Sequence, residues 1–427
     1  MKRLLGALKV VVVNIAVIVL LLGSIELFFR LRNSGEPPVT HAFWPDFRPY
    51  VMFTVKPRPN PVFLNEFTQE HIPSTIATNA LGFSDPHEFD YTKPYEKGPN
   101  EKVVLFTGAS AAWGVGASAT DKTIAGRMQY YLDNSQNQFL YTVINMSMGS
   151  YLAYQQFLAL SLWGESFRPD WVVSMDGYSD ADVGCGFSQG VGNPMFFAAA
   201  QAYIRAYLAA TQHPSFYRGW LENQIIKHSA AYRALTGKDY VPYTLTLDRS
   251  SNEGIPVRRA IIPTEAGASR GMLAFYLKGE RAMLGLFPQA QYILSTAPSV
   301  NDFRGDFADV YDTPVGSDTY RKAAASIQAT LDKYLNQYEH QPCGQARIQV
   351  SHTFIFVNGA IELERLVDDE RKLGRRAQYF NIGTLLPNDR TARMPFFIDS
   401  AHLSDNGMDV IGRFYADKIL VADGLKN

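Results

Sequence analysis

The sequence predicts an α/β fold built on a parallel sheet, and three observations carry that expectation. Short apolar runs suited to buried strands, Val103–Phe106, Val143–Ile144 and Trp171–Met175, alternate with stretches of helical periodicity. That alternation is the signature of a parallel sheet covered by helices on both faces. A serine, Ser110, stands directly after the first run, behind the small residues Gly108 and Ala109. Far downstream, Asp399 and His402 precede a C-terminal amphipathic stretch. Ligands of such sheets bind at the carboxyl ends of the strands, which is where Ser110, Ser150 and Ser179 fall.

In order, the pattern reads as a strand over 103–107, a helix near 121–133, a strand over 141–145, a helix over 151–165 and a strand over 171–176. Residues 186–268 interrupt it with Gly-rich loops and a helix near 197–211, an insertion that suits either a lid or a packed subdomain. The alternation resumes with a helix near 270–286, the strand 291–294, a long helix near 318–338 and the strand 378–382. The charge run from Glu362 to Arg376 reads as a solvated helix face. Ser404 is placed to cap the last helix, in which Met408, Ile411, Tyr415 and Ile419 recur at helical spacing.

At the other end, residues 10–29 are almost wholly apolar, broken only by Asn14, Ser24 and Glu26. Twenty helical residues span about 30 Å, the hydrocarbon thickness of a bilayer. No small-x-small exit follows Phe29, so an uncleaved signal anchor is expected rather than a cleaved leader. Lys2, Arg3 and Lys9 precede the segment and Arg30 and Arg32 follow it, a weak bias toward a cytoplasmic N-terminus. The expected organisation is therefore a cytoplasmic tail (1–9), a transmembrane anchor (10–29) that contacts the lipid bilayer, a Pro-rich connector (30–100) and a main domain (101–422) carrying the insertion.

Composition narrows the function. Forty basic residues against 41 acidic leave a net charge of −1, so bulk electrostatics suggests no nucleic-acid partner. Eight histidines and two cysteines form no spaced ligand cluster, so neither a metal nor a cofactor is expected. Cys185 and Cys343 are too few for a disulfide framework, though a single bridge between them is compatible with the sequence. What remains is nucleophilic chemistry. A serine hydroxyl is a weak nucleophile at neutral pH and needs an imidazole to take its proton and a carboxylate to orient that imidazole. Ser110, His402 and Asp399 supply those three groups.

The local sequences around these residues resemble the SGNH (GDSL-like) hydrolases, whose members carry four short blocks in fixed order. The first corresponds to Gly108-Ala109-Ser110, followed by Trp113-Gly114-Val115-Gly116. The second is similar to Asn145-Met146-Ser147-Met148-Gly149-Ser150-Tyr151. Gly177-Tyr178-Ser179-Asp180 stands at the third, and Asp399 to His402, followed by Leu403, at the fourth. Asn79-Ala80-Leu81-Gly82-Phe83 also resembles a segment found ahead of the catalytic domain in membrane-anchored relatives. The resemblance covers about a third of the chain.

It implies a three-layer, flavodoxin-like parallel sheet with an N-terminal transmembrane helix. Ser110 would be the nucleophile, His402 the general base and acid, and Asp399 its orienter. The oxyanion donors would be the Ser110 N–H, the backbone around Gly149 and Ser150, and Ser179. Two of these depart from the family pattern: Ser150 stands in the register of a glycine, and Ser179 in that of an asparagine whose carboxamide donates to the oxyanion. The activity implied is hydrolysis of O-acyl, chiefly O-acetyl, esters on an envelope carbohydrate, by a domain facing the periplasm or exterior of a bacterial inner membrane. The alternatives are a carbohydrate O-acetyltransferase and, because of Ser179, a catalytically weak carbohydrate-binding or assembly protein.

Overall fold

The computed structural model describes residues 2–32, 43–48, 52–57, 59–90, 93–135, 138–181, 267–300, 345–387 and 389–425, with isolated positions at 225, 229, 231, 232, 235, 322 and 325. Cys185, Cys343, most of the 186–268 insertion with its helix near 197–211, and most of the helix expected near 318–338 lie outside the described residues.

Five parallel strands form the central sheet: β5 (Glu101–Gly108), β6 (Leu140–Asn145), β7 (Trp171–Asp176), β8 (Gln291–Thr296) and β9 (Arg376–Phe380). Their spatial order is β6-β5-β7-β8-β9. The first of these strands in the chain is thus internal, and the direction of winding reverses beside it. That reversal is the flavodoxin-like switch, and it opens a crevice at the carboxyl ends of β5 and β7. With the right-handed crossovers usual in parallel sheets, α3 (Ile124–Asp133) lies on one face, against the last helix α8 (Asp405–Ala422), and α4 (Ala153–Ala159), α5 (Gly267–Leu284) and α6 (Gln345–Lys372) on the other. Strands covered on both faces carry continuous apolar runs, and Val103 to Phe106 and Trp171 to Val173 are completely or almost completely buried.

Two helices differ from their sequence reading. The stretch expected as one helix over 151–165 is α4 followed by a π turn (Leu160–Gly164) and a short 3-10 turn (Glu165–Phe167). Gly164 explains the tight fit there, since a Cβ would lie 3.1 Å from both Leu105 and Phe287. The charge run 362–376 is only partly a solvated face. Asp368–Arg371 and Asp369–Lys372 are exposed pairs, but Glu370 is buried beneath Arg375 at 2.8 Å, and Leu363, Leu366 and Val367 face the core.

Residues 30–100 do more than connect. Two antiparallel hairpins precede the sheet: β1 (Phe43–Arg48) with β2 (Met52–Pro57), and β3 (Val62–Leu64) with β4 (His71–Pro73). Phe63, Ile76 and Phe83 enter the common core. The turn at 79–85 then supplies polar partners beneath the carboxyl ends of β5 and β6. Asn145 Nδ2 donates to Ser84 Oγ (2.7 Å) and to the Ala112 carbonyl (3.1 Å), and Asn145 Oδ1 accepts from the Ser147 N–H (2.9 Å). Ser84 donates to the Trp113 carbonyl, Trp113 Nε1 donates to the Gly82 carbonyl, and Asp85 accepts from the Asn145 N–H. Burial raises the Asp85 carboxyl above its ordinary range, against the opposing hydrogen bonds from His87 and Asn145.

Upstream of these hairpins the backbone of Lys2–Arg32 is one 31-residue helix, α1. Among the described residues no helix is long and apolar enough to cross a membrane; the side chains at 10–12, 15 and 18 are not among those described. The one carboxylate of the apolar stretch, Glu26, accepts from Ser229 Oγ (2.8 Å) and from the Ala231 N–H (3.1 Å).

Behind the carboxyl end of β7 sit three fully buried acids, Asp176, Asp180 and Glu280, with Tyr276 beside them. Neither oxygen of Asp176 has a hydrogen-bond partner in good geometry, nor do Glu280 Oε2 and the Tyr276 hydroxyl. Asp180 accepts weakly from the Ala153 N–H at 3.3 Å, and Glu280 accepts from Ser174 at 3.4 Å. Burial, and for Asp180 and Glu280 the neighbouring acids as well, pushes all three carboxyls up; Asp176 is raised from 3.8 to about 7, against weak opposition from the Gly177 N–H and the Gln156 amide. The fold therefore holds protons here that the unfolded chain has released.

Two outcomes follow from this packing. Asn145→Ala leaves buried donors and acceptors of the 84–113 network without partners, and should destabilise the chain by about 1–3 kcal/mol in urea unfolding; a change within about 0.5 kcal/mol would show that the network is replaceable. For the acids, a carboxyl whose folded pKa exceeds its unfolded value loses stabilising influence as pH rises between the two values, here from about 4 to about 7. The melting temperature should accordingly fall between pH 5 and pH 8, and Asp176→Asn should flatten that decline; an unchanged slope in the variant would place the titration elsewhere.

Candidate active site

The nucleophile candidate is presented by a close approach of two strands. A Cβ on Gly108 would lie 2.4 Å from both the Met175 carbonyl oxygen and the Ala112 side chain, so only glycine fits at the end of β5. Ala109 is extended, and Ser110 opens the short helix α2 (Ser110–Trp113). Gly114, at φ +111°, ends that turn and accepts no Cβ, because Thr123 fills the space. Ser110 is left half-buried at the rim of the sheet.

The partner groups arrive on the loop between Phe397 and Ser404. Phe397 and Leu403 pair as an isolated antiparallel bridge, and the Ile398 N–H donates to the His402 carbonyl (2.9 Å). Neighbouring segments hold this loop from two further sides: the Glu66 N–H donates to the Ile398 carbonyl (2.6 Å), and Ser299 Oγ and the Val300 N–H donate to the Ser400 carbonyl (2.7 and 3.1 Å). Within the loop, Asp399 Oδ1 accepts the N–H groups of Ala401 (2.8 Å) and His402 (2.7 Å). Its other oxygen, Oδ2, lies 2.7 Å from His402 Nδ1, and His402 Nε2 lies 2.8 Å from Ser110 Oγ.

This arrangement fixes the tautomer of a neutral imidazole. An ionised Asp399 can only accept, so Nδ1 carries the hydrogen and Nε2 is left as the acceptor facing the serine. Burial of Asp399 opposes its ionisation, but the His402 hydrogen bond and charge, with the two backbone N–H donors, outweigh it and hold the carboxyl below its ordinary range. The carboxylate is thus charged throughout the neutral range.

The oxyanion candidates gather around the same strand ends. The Met148 N–H donates to the Gly108 carbonyl (3.2 Å), which pins the segment after β6 against the strand that bears Ser110. Gly149 is buried next to it. Ser150 turns the corner at φ +60°, a left-handed conformation that non-glycine residues seldom adopt, and Tyr151 closes the turn back to Met148 (3.2 Å). A glycine would take this conformation without strain; the serine keeps the same backbone N–H. Ser179 follows Gly177 (φ +100°) in a helical turn after β7 and is half-buried, with the acid Asp180 directly behind it.

Several residues of this region escaped sequence reasoning. Ser84 and Asp85 lie far in the chain from the Asn145 they bind and belong to no periodic pattern, and Glu280 sits on a helix whose other features are ordinary; Asn145 carried a signal as the first residue of the second block. Asp180 carried a signal, because it ends the third block, but nothing in the sequence marks it as buried among like charges. Among the described residues, no group of three His, Cys, Asp or Glu side chains is placed to hold a metal ion.

No family model matches the chain, and no curated protein matches it. Among solved structures it is similar to an acetyl xylan esterase, at 15% identity over 75% of this chain and 98% of that one, with a TM-score of 0.32. Another is a carbohydrate esterase family 2 enzyme with a carbohydrate-binding domain from Corynascus thermopiles (Myceliophthora fergusii), at 12% identity over 78% of this chain and 69% of that one, with a TM-score of 0.31. An internal first strand that ends in a serine, a sheet order with its switch beside that strand, and a C-terminal Asp399–His402 loop reaching back to the serine describe a flavodoxin-like α/β fold that carries a Ser–His–Asp hydrogen-bonded relay at the carboxyl edge of its sheet.

Proposed function

We propose that the chain is a membrane-anchored serine esterase that removes O-acyl, chiefly O-acetyl, groups from an envelope carbohydrate through an acyl-enzyme. The observation that carries this reading is the unbroken relay from Ser110 Oγ through His402 to Asp399, at 2.8 and 2.7 Å. In the first half-reaction, His402 Nε2 takes the hydroxyl proton as Ser110 Oγ bonds to the ester carbonyl carbon. The tetrahedral intermediate places its negative oxygen among the backbone N–H groups of Ser110 and the Gly149–Ser150 turn, with the Ser179 hydroxyl as the side-chain donor. Collapse expels the sugar alkoxide, which leaves as the alcohol with the proton from His402. Water then attacks the acyl-enzyme with His402 again as base, and the acid is released. Asp399 stays ionised throughout and stabilises the imidazolium that forms transiently.

A sugar hydroxyl in place of water would make the same acyl-enzyme a carbohydrate O-acetyltransferase. Ser179 supports a third reading, because a hydroxyl is shorter than the carboxamide it stands for. Loss of one oxyanion donor typically costs on the order of 100-fold or more in rate, which a carbohydrate-binding or assembly protein would tolerate. The substrate class and the periplasmic or external placement rest on the family resemblance and on the apolar stretch 10–29, which supports anchoring as a single-pass helix in a bacterial inner membrane.

Acylation is tested with a fluorophosphonate probe read by intact mass. The wild-type chain should gain one adduct, Ser110→Ala should gain none, and Asp399→Asn should label at least about 100-fold more slowly, since an asparagine stabilises the wrong imidazole tautomer. Undiminished labelling of Ser110→Ala would reject the nucleophile. Anchoring is tested by alkaline carbonate extraction: the full chain should stay with the membrane, and a chain lacking residues 1–30 should not. Release of the full chain by carbonate would refute a spanning helix.

A further inference from the structure

Ser110 and His402 must stay within hydrogen-bond reach although 292 positions separate them in the chain. Apart from the triad itself, a second side chain among the described residues ties their two segments together. Asp405, the first residue of α8, accepts the Ser118 N–H on Oδ1 (2.9 Å) and the Ser118 hydroxyl on Oδ2 (2.6 Å). Ser118 lies shortly beyond the nucleophile helix, and Asp405 shortly beyond His402. Both ends of this clamp are themselves fixed. The Ser118 carbonyl accepts the Thr75 N–H (2.9 Å), the Ala117 carbonyl accepts Ser74 Oγ (2.7 Å), and Ser404 caps α8 by accepting the Gly407 N–H. Between them the two loops touch without a gap: Gly116, at φ +100°, has no room for a side chain, because a Cβ would lie 2.2 Å from the Leu403 carbonyl oxygen.

We infer that Asp405 is a positioning residue for the proposed hydrolysis, setting the Ser110–His402 distance through its two hydrogen bonds to Ser118. It contacts neither Ser110 nor the imidazole, so its effect is geometric. A carboxylate suits this role better than a neutral group. Both of its oxygens accept strong, charge-assisted hydrogen bonds, and its charge is favourable at the N-terminus of α8. A displacement of about 1 Å between reacting groups costs up to about 100-fold in rate, so loss of the clamp should act on the chemical step far more than on binding. The inference rests on the serine-esterase reading.

The experiment measures fluorophosphonate acylation of Ser110 and steady-state hydrolysis of p-nitrophenyl acetate in the full chain, for the wild type, Asp405→Ala, Asp405→Asn, Ser118→Ala and the Asp405→Ala/Ser118→Ala double variant. Asp405→Ala should lower kcat and the acylation rate by about 10- to 100-fold, with KM within about twofold. Ser118→Ala, which keeps the carboxylate and the helix charge, should produce part of that loss. The double variant should be no slower than Asp405→Ala, because both changes break one contact. The pH midpoint of kcat/KM should not move, since the Asp399–His402 pair stays intact. Acylation of Asp405→Ala at the wild-type rate would overturn the inference, and so would independent, multiplying effects of the two single changes or a loss confined to KM. Ser118→Ala covers the case in which the alanine variant of Asp405 fails to fold, since full activity there would also overturn the clamp; Asp405→Asn, which keeps an acceptor for the Ser118 N–H and can donate its amide to the Ser118 hydroxyl, should be the mildest of the changes. A wild-type chain that never labels at Ser110 would instead refute the esterase reading and the inference with it, which separates the two failures.

Discussion

The 2.8 Å hydrogen bond between Ser110 Oγ and His402 Nε2 requires two loops from opposite ends of the domain to meet within a fraction of an ångström. Most of the described architecture bears on that requirement. The parallel sheet places the end of β5 at its switch point, where the crevice opens, and Gly108 lets β7 approach closely enough to support the nucleophile turn. On the other side, α8 packs along α3 and carries the His402 loop back over the same edge. The imidazole is then held twice, through its Nδ1 by Asp399 and through its loop backbone by Ile398, Ser299, Val300 and Glu66. A site built in this way is preorganised: little of its geometry has to be acquired when a substrate arrives.

Beneath the rim, the domain accepts buried polar groups at two places, and they behave differently. Around Asn145 nearly every donor has a partner, so the Ser84–Asn145–Trp113 network joins the nucleophile helix to the turn after β6 and makes them one unit. Behind Ser179 the acids Asp176, Asp180 and Glu280 lack good partners, and burial pushes all three carboxyls above their ordinary range, because it disfavours the charged form. The Ser150 backbone adds a third irregularity, at φ +60°. Local strain and unsatisfied polarity of this kind concentrate at functional sites, where the surrounding structure holds them in place. All three lie at the carboxyl edge of the sheet, around the relay.

The N-terminal third contributes in two distinct ways. The 59–90 region is part of the α/β domain, with Phe63, Ile76 and Phe83 in its core and the 79–85 turn under the carboxyl edge of its sheet. Helix α1 stands apart in composition, and its Glu26 meets the Ser229–Ala231 segment of the insertion through two hydrogen bonds. A carboxylate in an apolar helix is costly without such partners. The chain therefore joins its N-terminal helix to the same insertion that interrupts the α/β pattern after the third block.

What the sequence by itself determined was the alternation of strands and helices, the serine after the first strand and the Asp399–His402 pair, because periodicity and short-range spacing are local properties. Strand boundaries for β5, β6 and β7 were legible to within a few residues for the same reason, and so was the Ser404 cap of α8. Helix α6 was visible only through the charges at its end; Gln345 to Ile361 offers no comparably simple signal. The tertiary structure alone decided that Ser110 and His402 touch, that Glu370 is buried while its neighbours are solvated, and that three acids are buried together behind Ser179. It alone showed that residues long read as a connector hold up the active edge, and that Asp405 binds Ser118. Each of these is a contact between distant parts of the chain, whose free energy comes from burial and geometry that no local pattern of residues encodes.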